Sequence, residues 1–322
     1  MNSNDILDQL RDKNIIFNRQ SEAVSGFLAS EPFSVYHELR SILYLGILLF
    51  TSGIGVIVYE NIDTIGHQVI IGVLIILCIL FLSHAFKYRS PFSWAKINPQ
   101  NKLADHSLLL GCSLFLILEG YVQYQYTFFG TRYGLAVAIP TLLFFLLAYR
   151  FDHIGVLSMA LTGLASWLGL TIAPTSVTRG NDFTNAHLLI TAIVLGLLLL
   201  ILGKVSEQKH LKSHFSFTYS LFGANLASVA AIAGLFNHNP RIVYFIISIA
   251  LSFYLIQTAR KEKSALFLLV GVIYGYVAIS YGLFHVVPDV MVGLLGVFYM
   301  LASSAGTLVF LLNFKKILGT KR

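Results

Sequence analysis

Residues 133–173 read YGLAVAIPTLLFFLLAYRFDHIGVLSMALTGLASWLGLTIA. Two apolar runs are parted only by Arg150, Asp152 and His153. A membrane-spanning helix needs about 20 mostly apolar residues. The stretch is therefore either two helices with a charged turn or one long element. The choice decides every later loop, because merging the two would flip the rest of the chain. With two helices, ten apolar segments fall at roughly 40–59, 68–86, 106–126, 133–150, 153–173, 186–203, 215–236, 240–259, 264–285 and 289–314. On that reading 19 of the 22 Lys and Arg lie on one side, and only Arg132, Arg179 and Arg241 lie opposite. Cytoplasmic loops carry the excess of Lys and Arg. Ten spans with both termini cytoplasmic is the consistent solution.

Composition agrees. The chain is 56% hydrophobic and 11% charged, against about 25% charged in soluble domains. A soluble protein of 322 residues could not hide so much apolar surface. The basic pI of ≈ 9.3 comes from cations spread over short inner segments rather than gathered on one face, which argues against a nucleic-acid partner. Cys78 and Cys112 both lie in apolar segments, so a disulfide framework is not expected. No secretory signal peptide is visible, and the first apolar run starts near residue 41. The expected location is the cell inner (plasma) membrane, crossed many times.

The fold class is therefore all-α, a polytopic transmembrane helix bundle of about ten spans. Residues 1–38 form a cytoplasmic helical N-terminal segment, with helices near residues 3–10 and 19–29, and Pro32 interrupts before the first span. Residues 39–322 form the multi-span domain with a short basic C-terminal tail. Pro91, Trp94 and Pro99 make 88–105 an interfacial turn, with Trp94 at headgroup depth. The longest polar outer loop, 173–186, reads either as the cap of a vestibule or as a solvated turn.

Glu119 is the one acidic residue well inside a span. It lies about 20 Å along the third helix at 1.5 Å per residue, past the midplane toward the outer side. An ionisable group at this depth costs at least about 2.5 kcal/mol and should face the bundle or water. Helical spacing puts Cys112, Phe115, Glu119, Gln123 and Tyr126 on one face. Glu119 reads either as a proton- or cation-coupled group or as a structural carboxyl paired across helices or with an outer Arg such as Arg132. Asn225, mid-span in the seventh helix, reads as a solute contact or as interhelical glue. Tyr126 and His285 join Arg132 as candidate outer-face partners. No histidine set has metal-ligand spacing, and no catalytic or cofactor motif is legible. The small residues Gly163, Ser166 and Gly169 are best explained by close helix packing.

The first span reads Leu45-Gly46-Ile47-Leu48-Leu49-Phe50, Gly53-Ile54-Gly55-Val56, then Tyr59-Glu60-Asn61-Ile62, after an upstream Asn14-Ile15-Ile16. This stretch resembles the start of an uncharacterised bacterial polytopic membrane-protein family, domain of unknown function 2157 (DUF2157). Gly111 to Tyr124 is similar to that family's third helix, with Glu119 where Gln is expected. The resemblance covers roughly residues 5–150. It implies a membrane protein and assigns no activity, so it supplies no catalytic residue.

The leading functional reading is a transporter- or channel-like protein for a small solute or lipid, with Glu119, Gln123 and Asn225 as its polar site and no cofactor. The alternative is a non-transporting membrane scaffold or sensor that docks a cytoplasmic protein partner through residues 1–38. An enzyme is not expected. The lipid bilayer is the partner common to both readings.

Overall fold

The computed structural model describes residues 17, 20–21, 36–60, 66–97, 101–130, 132–172, 185–286 and 288–319. Most of the N-terminal segment lies outside the described residues, as does the outer loop at 173–184. The chain divides into two units, Met1–Val56 and Ile57–Arg322. The first contains the start of α1 (Tyr36–Glu60), where the Thr51 hydroxyl donates to the Ile47 carbonyl at 2.8 Å. That bond satisfies a polar side chain within its own helix, the requirement that lipid imposes.

Among the described residues the second unit carries nine further helices: α2 (His67–Lys87), α3 (Lys102–Tyr126), α4 (Tyr133–Phe151), α5 (Ile154–Ile172), α6 (Ala186–Gln208), α7 (Ser216–Asn237), α8 (Arg241–Glu262), α9 (Ala265–Val286) and α10 (Asp289–Ile317). A 3-10 turn, Ser213–Phe215, precedes α7. Among the described residues the regular structure is all helical. Helices α2 to α10 are each long and apolar enough to cross a membrane, and α1 adds a shorter apolar stretch, Ser41–Ile57. The ten helices stand where ten spans are expected. The doubtful division is real: α4 stops at Phe151 and Asp152 turns left-handed, with φ 62°.

Hydropathy marks where side chains are apolar, and backbone hydrogen bonding runs past that limit. Hence α3 begins at Lys102 rather than near 106, because the Asn101 side chain accepts from Leu103 N and Ala104 N and caps two otherwise unsatisfied donors. Likewise α8 runs through Arg260 and Lys261 to Glu262, and a cationic last turn suits the helix dipole.

Packing groups the helices as hairpins, α2 with α3, α4 with α5, α6 with α7 and α8 with α9. In lipid no hydrophobic force drives helices together, so small residues that admit close backbone approach carry the association. Helices α6 and α7 cross backbone to backbone. A Cβ on Gly196 would lie 2.5 Å from the Gly223 carbonyl oxygen, and one on Gly223 would lie 2.6 Å from the Gly196 oxygen. Gly163 on α5 packs directly on the Thr141 hydroxyl of α4, which is the close-packing role expected of it. In α8–α9 the Ser252 hydroxyl donates to the Gly271 carbonyl at 2.7 Å. Helix α10 is peripheral: no residue of Leu295–Ile317 is buried.

Candidate functional site

Of the face expected on α3, Cys112 to Gln123 is turned into the bundle, while Tyr126 at its end is exposed. Cys112 is fully buried, and Phe115 meets Phe144 of α4 edge-on with ring centroids 6.3 Å apart. One helical step further, Glu119 is half-buried, and its Oε1 is buried without a hydrogen-bond partner. Gln123 closes the face. Its Nε2 donates to the Gly130 carbonyl at 3.1 Å and its Oε1 accepts from Phe129 N at 2.9 Å. Both ends of that amide are spent on the α3–α4 connection, which Thr127 turns back toward α3 from a left-handed C-cap.

The other expected site residues are placed elsewhere. Asn225 accepts a hydrogen bond from the Tyr274 hydroxyl, joining α7 to α9. Arg132 is exposed at the start of α4 and forms no ion pair with Glu119. Tyr126 lies edge-on to His67, with centroids 6.5 Å apart. His67 itself bonds the Tyr121 hydroxyl at 2.8 Å and Gln125 at 3.1 Å. His285 stacks on Tyr281 and lies 2.9 Å from the Arg241 guanidinium. The structure thus brings Glu119 and Gln123 onto one face, gives Asn225, Tyr126 and His285 partners of their own, and leaves Arg132 exposed. A shallow apolar cleft between α5, α6 and α7 is lined by Ala165, Gly169, Leu188, Thr191, Ala192 and Leu226 among others.

A second polar cluster is one that sequence reasoning missed. It joins the α4–α5 turn to the α6–α7 connection. The Asp152 side chain is 2% exposed and Lys212 is fully buried, with Nζ 2.7 Å from Asp152 Oδ1. His214 Nε2 lies 2.8 Å from the same oxygen without hydrogen-bond alignment, and its Nδ1 has no partner. The second carboxylate oxygen accepts from Ile97 N at 2.7 Å. Lys212 takes a left-handed backbone, φ 53°, and its amide donates to the Trp94 carbonyl at 2.9 Å. Nearby, Arg150 donates to the Ser90 carbonyl at 3.1 Å. His153, also buried, faces Asp105 at 3.5 Å. Burial pushes the His214 imidazole below its ordinary value; the Asp152 carboxylate pulls it back up, and Lys212 and Lys96 push it down.

The one sequence signal for this cluster is the presence of an acid in a two-residue turn between apolar helices. Nothing in the sequence says that its partner lies 60 residues away. A buried Lys–Asp pair repays desolvation only with good geometry and satisfied lone pairs. Both Asp152 oxygens are engaged, so the pair meets that condition. Its evident chemistry is to fasten three connections at one end of the bundle.

The beginning of the chain, through α4 and into α5, also carries a family signature. Residues 8–157 match DUF2157, a predicted membrane protein family. The DUF2157 match bears out the resemblance seen over residues 5–150. It contains Glu119, Gln123 and Asp152, and stops short of Asn225 and Lys212. The family description names no activity. No curated protein and no solved structure shows significant similarity to the chain.

Proposed function

We propose that the protein is transporter- or channel-like, handling a small solute or lipid, with Glu119 exchanging a proton or binding a cation. The proposal includes the inner (plasma) membrane as its location and cytoplasmic termini, which rest on the distribution of Lys and Arg. The observation that carries it is the Glu119 carboxyl. An intramembrane acid is costly and by default functional unless a partner explains it. A structural carboxyl would hydrogen-bond a neighbour or pair with Arg132. Glu119 Oε1 has no hydrogen-bond partner, and the nearby amide of Gln123 is already satisfied at both ends. A group left unpaired at a stability cost is what a site retained for exchange requires.

Unfolding in detergent tests this without knowledge of the solute. Glu119→Gln and Glu119→Leu are expected to unfold at the same temperature as the parent, or higher. A carboxyl making a buried hydrogen bond would instead cost about 1–3 kcal/mol on removal. Destabilisation of that size in both variants would remove Glu119 from the proposed site.

A further inference from the structure

The Asp152 cluster holds a surface segment in place, and that segment has a definite chemistry. Residues 86–97 read FKYRSPFSWAKI and contain no acid. Lys87, Arg89 and Lys96 are all exposed. Among the described residues none of the three forms an ion pair, and Lys87 lies over the Tyr88 ring at 5.5 Å. Phe92 and Trp94 are 45% and 51% exposed and pack edge to face with centroids 5.0 Å apart. An exposed pair of aromatic rings thus stands among three cations without counterions.

This surface is built rather than incidental. Its backbone is fixed at three points, from Arg150 to Ser90 O, from Lys212 N to Trp94 O and from Ile97 N to Asp152 Oδ2. The Lys212 ammonium also lies 5.2 Å over the Phe92 ring. A buried ion pair is an expensive way to hold a loop. It is explained if the loop must keep one conformation when it meets its partner.

We propose that residues 87–97 dock anionic phospholipid headgroups. The segment begins where the membrane-spanning helix α2 ends at Lys87, which sets it at headgroup level. Trp94 favours that depth because its ring is largely apolar and its indole N–H is polar. Arg89 and Lys96 complement the negative phosphates of an anionic leaflet, an attraction that decays within a Debye length. An acidic soluble partner would answer the charges and leave Phe92 and Trp94 unexplained.

The test uses the full chain with Trp167→Phe, which leaves Trp94 as its one tryptophan. The protein is placed in nanodiscs of phosphatidylcholine containing a minor fraction of either brominated phosphatidylglycerol or brominated phosphatidylcholine. The expected result is stronger quenching of Trp94 by the anionic lipid, weakening as salt is added. The double variant Arg89→Gln/Lys96→Gln should quench equally with both lipids. Equal quenching in the parent would overturn the proposal. A preference that survives the double substitution would overturn its assignment to these residues.

Discussion

Lys212 and Asp152 stand 60 residues apart in the chain and 2.7 Å apart in space, with the lysine shut off from solvent. Removing one member strands the other. Asp152→Ala should cost about 3–5 kcal/mol, because an uncompensated ammonium then stays buried. Replacing both residues with apolar ones, as in Asp152→Leu/Lys212→Met, should cost less than Asp152→Ala alone. Chemical unfolding of the variants in detergent checks both the size and the order. Equal losses for the single and double variants would mean that the carboxylate's bond to Ile97 N matters more than the pair.

The α6–α7 crossing predicts a contrast between glycines. Gly196→Ala places a methyl group against the Gly223 carbonyl, and overpacking of this kind costs about 1–3 kcal/mol. A methyl group on Gly72 of α2 would have nothing within 4 Å. Gly72→Ala should leave stability unchanged or raise it by up to about 1 kcal/mol through helix propensity. Thermal unfolding of the two variants side by side measures the difference. Equal effects would show that the close approach of Gly196 and Gly223 does not carry the packing.

His214 gives the fold a pH dependence of known sign. Its folded value lies below the ordinary 6.5, so the unfolded chain binds its proton more readily. The contribution is complete above about pH 6.5 and is lost as pH falls from there through the lower folded value. Stability measured across that window should decline for the parent, and the decline should be smaller in His214→Gln. An unchanged slope in the variant would show that His214 does not set this pH dependence.

Much of the fold was legible because lipid imposes simple rules. Apolar length gives the spans, and Lys and Arg counts divide 133–173 correctly at Asp152, where the chain turns left-handed. The face bearing Cys112, Glu119 and Gln123 was legible because helical periodicity is local. The partners of those residues were not. Gln123 reads as a site amide until the chain folds back and spends both its ends on Phe129 and Gly130. Asn225 finds Tyr274 from another helix. The Asp152–Lys212–His214 cluster needs three connections to meet, and no period or spacing along the sequence encodes that meeting.

Glu119 carries the functional account, and water access to its position is the most direct measurement. Cys78 and Cys112 are replaced by Ala, and Glu119→Cys is tested with a membrane-impermeant thiol reagent added outside intact cells. Phe128→Cys, on the connection after α3 and 71% exposed, serves as the control. Labelling of both positions is the predicted result, and it would mean that an aqueous path reaches the buried acid. Labelling at 128 with none at 119, in a folded protein, would contradict the account and make Glu119 a packed carboxyl.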